Sequence, residues 1–252
     1  MQENDRTVLT VHVTDQHDRD GAGAWLPMPM PWDDLHERIR SVTDSTPAIT
    51  GVDARSAPLL SAIGLRVRPD SDVDMLNALA ILTEHTEPST LEALGALAET
   101  HCERTGRRFT ERAYASALMM GRRTPIPYTR YRDQQQPSPQ ERLASSVIGT
   151  GLAPEIDAFA RTAENLGFGD CLDLWALGER ISKEHQLLAA SHGWIDANRP
   201  VPSPDVYTRD QILEHTGYPQ PSPDTTEFTG LPDWDLTPDL TDGFDTRPTH
   251  TR

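Results

Sequence analysis

The sequence predicts an α+β chain in which a small antiparallel sheet with packed helices is followed by a small helical domain and a disordered acidic tail. Three observations carry that reading. The run from Thr7 to Val13 alternates, so that Leu9, Val11 and Val13 share one face, the period of a half-buried strand. From Trp32 onward, successive segments repeat apolar residues at helical spacing, opened by capping residues and closed by Gly or Pro. Beyond residue 216, prolines and acids replace any apolar period, so too little surface can be buried to offset the ordering cost.

Each element follows in order. Trp32, Leu35 and Ile39 make one stripe in WDDLHERIRSV, with Asp33, Asp34 and Glu37 near its start, where a helix dipole favours acids. Trp25, just after the turn GAGAW, is expected to be buried against Leu35 and Ile39. Ser71 followed by Asp74 signals a helix N-cap, and Leu76, Leu79, Ala80 and Thr83 continue the helix toward Pro88. Ser89 with Glu92 reads as a capping box for a second helix, with Leu91, Leu94, Ala98 and Cys102 on one side. These two helices are expected to pack as a hairpin.

A helix from Thr110 to Met120 buries Tyr114, Leu118 and Met119, and Pro125, Pro127 and the glutamine run predict an extended connector. Ser138 as N-cap, Pro139 at the first helical position and Glu141 completing a capping box open the next helix, which Gly149 stops. Another runs from Pro154 to Leu166, with Ile156, Phe159, Ala160 and Ala163 on one face. A longer one spans Cys171 to Ser191, with Leu174, Leu177, Ile181, His185 and Leu188 in step and Gly193 as its terminal glycine. Thr208 with Gln211 opens a last short helix. The expected division is an α+β domain over residues 1–102, an Arg-rich helix and connector over 103–137, a helical domain over 138–216 and an acidic, proline-rich tail over 217–252.

Composition narrows the function classes. Of 252 residues, 36% are hydrophobic and 21 are proline, so part of the chain is not expected to pack. The net charge of −16 is unevenly placed: −10 over residues 1–100, +5 over 101–150 and −11 over 151–252. Acidic ends repel nucleic acid and attract basic grooves on other proteins, which disfavours direct DNA binding by the whole chain. Cys102 and Cys171 make no disulfide framework. No apolar run reaches the roughly 20 residues of a membrane span and the N-terminus is too polar for a signal peptide, so the expected location is the cytoplasm, without membrane association.

The first hundred residues carry a family resemblance. In order they hold the strand TVLTVHV, the GAGAWLPMP segment, the helix WDDLHERIRSV, then AITGVDARSAPLL, and finally SDVDMLNALAILTEHT with PSTLEALGALAET. That order resembles the ArdA family of plasmid and transposon antirestriction proteins over roughly residues 7 to 102. The last two segments look like the family's paired helices, in which acids precede Leu-Asn-x-Leu and a Leu-rich turn. The chain departs from the pattern in two places. GVDARSAPLL lacks the aromatic and second acid that commonly follow the aspartate, and an arginine block stands where the family has an acidic helical C-terminal third. The resemblance implies a noncatalytic mimic of B-form DNA whose carboxylates occupy the DNA groove of a type I restriction-modification enzyme, and it suggests a homodimer.

The candidate mimic residues are Asp33, Asp34, Glu37, Asp53, Asp70, Asp72, Asp74, Glu84, Glu87, Glu92 and Glu99. A plainer role for each is helix capping or solvation of an acidic surface. The arginine block offers an alternative from another class: Arg122, Arg123, Arg130 and Arg132 with Tyr128 and Tyr131 as phosphate contacts and base-stacking rings of a nucleic-acid-associated adaptor, whose acidic tail recruits a partner. Against it stands intramolecular pairing of those arginines with the acidic flanks. His85, His101, Cys102 and Cys171 lack metal-ligand spacing, and Ser145, Ser146 and His192 lack a nucleophile elbow. No enzyme, metal site or cofactor is expected.

Overall fold

In the computed structural model, which describes residues 7–17, 23–132 and 134–219, the alternating N-terminal run becomes strand β1 (Leu9–Asp15) at the centre of an antiparallel sheet. It lies between β2 (Ala24–Met28) and β3 (Pro47–Val52), and helix α1 (Trp32–Val42) joins those two edges. Leu9, Val11 and Val13 are buried, as the period of two requires, together with Leu26 and Met28 of β2.

The same period reverses the expectation for Trp25. With Leu26 and Met28 facing the core, Trp25 must face outward, and it is 48% exposed. Its ring packs across the strand on His12, centroids 4.9 Å apart, and overlies Gly51. The packing basis proposed for this part of the chain therefore fails at Trp25, and the buried indole is Trp32. Trp25→Ala is accordingly expected to cost about 1 kcal/mol or less, measurable by urea denaturation, where a buried indole would cost about 3 to 5.

A 3-10 turn at Ala54–Ser56 leads into α2 (Ala57–Ile63), which is followed by α3 (Val73–Thr83), α4 (Pro88–Thr105) and α5 (Glu111–Gly121). α3 is buried on nearly every side, including Leu76 and Leu79, so it runs through the middle of the core. It packs chiefly on α5, while α4 packs on α2, and the expected α3–α4 hairpin does not form. A helix this apolar needs cover all round, which one neighbour cannot supply. Two cap assignments also change. Asp72, rather than Ser71, accepts the bond from the Met75 N–H, leaving the Ser71 hydroxyl to donate to the buried Glu111 carboxylate. α4 starts at Pro88 with Glu87 at its N-cap, before the expected Ser89–Glu92 box, because proline lacks the N–H that the first helical position would leave unpaired. α5 is capped by Thr110 and buries Tyr114, Leu118 and Met119 as the spacing predicts.

The remaining elements are β4 (Tyr128–Arg130), α6 (Pro139–Val147), α7 (Pro154–Asn165), a 3-10 turn at Gly169–Cys171, α8 (Leu174–His185), β5 (Leu187–Ala189), β6 (Gly193–Asp196) and α9 (Arg209–His215). Both expected capping boxes, Ser138 with Glu141 and Thr208 with Gln211, are present. On α7, Ile156 and Ala160 are buried but Phe159 is exposed. α8 stops six residues before the expected Ser191: Gln186 takes a left-handed conformation (φ 52°), and the chain turns into a hairpin that pairs with β4 in the order β4-β6-β5. Leu188 thus lies in a strand. Gly193 opens β6, where a Cβ would sit 2.3 Å from the Thr129 carbonyl oxygen, so glycine permits the close approach of β4.

Buried residues form two clusters that do not follow the expected segment boundaries. The boundary at 102/103 falls inside α4, and α5 belongs to the first cluster with the sheet, α1, α2, α3 and α4. Ala190, Ile195, Ile212 and Leu213 join that same cluster. The second gathers Tyr131, Leu143, Val147, Ile156, Ile181 and Trp194 from α6, α7, α8 and the second sheet. The disordered tail expected over 217–252 lies, beyond residue 219, outside the described residues.

Candidate protein-binding surface

Helix α1 is fastened to the body at its first turn. Trp32 and Leu35 are buried, the Trp32 indole N–H donates to the Thr216 carbonyl at 3.0 Å, and the Tyr218 ring stands edge-on to the indole at 4.8 Å. Fixing those two core positions turns Asp33, Asp34 and Glu37 outward. All three are exposed and hold no ion pair among the described residues. Four residues of helix rise about 6 Å, so three carboxylates over that length approach the axial charge density of duplex DNA, one charge per about 1.7 Å.

Most of the other candidate acids are engaged within the chain. Arg209 of α9 reaches back to Asp72 and Asp74, at 2.7 Å each. Asp74 also lies 3.2 Å from His36 of α1, whose ring stands against Tyr218. These hydrogen bonds, that to Asp72 foremost, raise the Arg209 pKa further. Asp53 caps the 3-10 turn and pairs with Arg55, whose hydrogen bonds hold its carboxyl below the usual range. Asp70 pairs with Arg68 at 3.3 Å, Glu84 approaches His85 at 3.9 Å, and Glu92 lies 3.7 Å from Arg130. Glu99 accepts bonds from the N–H and hydroxyl of Ser191, both at 2.8 Å. Glu87 is exposed at the start of α4. A carboxylate already bonded to a guanidinium cannot imitate a free phosphate, so α1 supplies the densest set of free acids among the candidates.

The arginine block is divided by the fold. Arg122 lies 3.5 Å from the His215 ring, Arg123 and Arg132 are exposed, and Arg130 is the partner of Glu92. The stacking role expected of the tyrosines is not available. Tyr131 is buried beside Trp194 and donates its hydroxyl to the Pro139 carbonyl. Tyr128 is half-buried, with its hydroxyl enclosed and unpaired among the described residues, and burial pushes its pKa up to about 12. A ring packed into the protein offers no face to a base.

Ser146 is buried and accepts from the Arg132 N–H, and His192 is exposed, with no hydrogen bond between their side chains. Both cysteines are free and exposed. Spacing could not reveal one cluster: Glu155 at the start of α7 meets Glu184 and His185 at the end of α8, with their ligand atoms within 4.8 Å of one another. There a hydrogen bond from its own backbone N–H, and after it the His185 hydrogen bond, hold the Glu155 carboxyl below its usual range. No helix among the described residues is long and apolar enough to cross a membrane. Comparison with protein-family models and with curated proteins finds no match.

Proposed function

We propose that the protein is a noncatalytic antirestriction protein of mobile-element origin, working in the cytoplasm as a partial mimic of DNA against a type I restriction-modification enzyme. Support comes from the ArdA-like order of elements over residues 7 to 102 and, chiefly, from the unpaired Asp33, Asp34 and Glu37 on a helix held rigid by Trp32 and Leu35. A groove that neutralises phosphates with Lys and Arg accepts such a face and releases counterions as DNA does.

The test is competition with duplex DNA for a panel of type I enzymes. Inhibition should fall with salt at a log–log slope of about −3, the value for roughly three displaced charges. Asp33→Asn with Asp34→Asn and Glu37→Gln should weaken it by about tenfold or more. Asp53→Asn, a carboxylate already paired with Arg55, should change it by less than about twofold. No inhibition of any enzyme at low salt, or inhibition unaffected by the triple variant, overturns the reading. The adaptor alternative rests on the exposed Arg123 and Arg132, which hold no carboxylate partner among the described residues, and it requires instead that the protein shift labelled duplex DNA on its own.

A further inference from the structure

A cleft of about 740 Å³ runs along α4 from Glu92 to Cys102, between that helix, the C-terminal end of α2 and the loop that leads to Phe109. Its volume is that of a small-molecule site. The walls are held close: a Cβ on Gly95 of α4 would stand 2.3 Å from the Ala62 carbonyl oxygen, so the two helix backbones touch where the cleft closes.

Charges in the lining do not balance. Arg68 is paired with Asp70, Arg108 with Glu111 and Glu92 with Arg130, while Glu99 is hydrogen-bonded, among the described residues, only to neutral Ser191 and keeps its negative charge. Arg66 and Arg107 remain, lining the same cleft with no carboxylate partner among the described residues. A second observation is independent of them. Tyr114 also lines the cleft, and its hydroxyl, which has no hydrogen bond among the described residues, is not enclosed as that of Tyr128 is. That hydroxyl lies 4.0 Å from where a Cβ on Gly64 would stand, at the end of α2. Burial keeps the phenol protonated, hence a donor.

We propose that this cleft binds a small organic monoanion, a flat apolar body carrying one carboxylate. The Ala62, Ala96, Ala98 and Phe109 surface takes the body, Arg66 and Arg107 hold the carboxylate, and the Tyr114 hydroxyl donates to a polar atom of the ligand. Two unpaired guanidiniums attract an anion, while Glu92 and Glu99 in the same lining count against a dianion or a nucleic-acid strand.

Titration of the full chain with 2-naphthoate, followed by calorimetry and backbone NMR, tests this. Binding on the order of 0.1 to 1 mM is expected for a ligand of this size, with shifts centred on Gly64, Cys102 and Phe109. Neutral 2-naphthalenemethanol should bind at least about tenfold more weakly, and inorganic phosphate should not compete. Arg66→Gln with Arg107→Gln should bring naphthoate to the level of the neutral analogue, and Tyr114→Phe, which keeps the ring, should weaken it several-fold. Equal binding of acid and alcohol, competition by phosphate, or unchanged binding in the double variant overturns the proposal. If the two arginines only complement the helix C-termini, their removal lowers the melting temperature and leaves the acid–alcohol ratio unaltered, which also overturns it.

Discussion

Gly178→Ala is expected to destabilise the protein by about 3 kcal/mol, although helix propensity alone predicts a gain of about 1 kcal/mol. The residue lies inside α8, where it is buried against the first turn of α6. A Cβ there would stand 2.0 Å from the Gln140 carbonyl oxygen and 2.6 Å from its carbon, both backbone atoms that no rotamer change can move aside. The helices would have to separate and loosen Leu143, Val147 and Ile181 between them. Gly121→Ala is the control. It ends α5 with nothing within 4 Å of the added methyl, so the substitution should be neutral or stabilising by up to about 1 kcal/mol. Urea denaturation of the two variants decides it: a Gly178→Ala protein as stable as the parent would mean that α6 and α8 are not in backbone contact.

The second large effect is expected at Asn77, which is fully buried in α3. Its amide makes a matched pair with the backbone of Met30, accepting from the N–H and donating to the carbonyl, both at 3.0 Å. Through that pair the central helix fixes the link between β2 and α1, and so the orientation of the acidic face of α1. Asn77→Leu keeps the branched outline, though it is bulkier, and leaves both Met30 groups unpaired, at about 2 to 4 kcal/mol. Asn77→Asp separates the two bonds. The buried carboxyl should titrate above its unfolded value of about 3.9. Protonated, it can still donate to Met30, so the variant's deficit should be smallest below pH 4 and grow as pH rises through the folded pKa. A deficit independent of pH would show that the donor bond to Met30 contributes nothing.

How much was legible in the sequence differs residue by residue. Leu9, Val11 and Val13 announced a buried strand face, and Ser138, Pro139 and Glu141 announced a helix start, because each signal is complete within a few residues. Trp25 was misplaced because hydrophobicity was weighed without strand phase, which Leu26 and Met28 set. The second sheet went unseen for a similar reason: β4 and β5 have three residues each, too few to show alternation, and β4 lies in a segment that reads as proline-rich connector. Leu188 kept helical step with Leu177 and Ile181, yet Gln186 reverses the chain before reaching it. Among the candidate acids, exposure of Asp33, Asp34 and Glu37 followed from the stripe of Trp32 and Leu35. The engagement of Asp72 and Asp74 did not, since Arg209 lies 137 and 135 residues away from them.

By itself, then, the sequence determined where most helices begin to within about three residues, most of the inward-facing positions along them, and the acidic balance of the chain, since caps, periodicity and charge are properties of neighbouring residues. Tertiary structure alone decided that α3 packs on α5 instead of α4, that a strand hairpin replaces the end of α8, and which carboxylates stay free. Those outcomes depend on packing and ion pairing between residues far apart in the chain, where several partners satisfy the same local pattern and only the shape of the assembled core selects one.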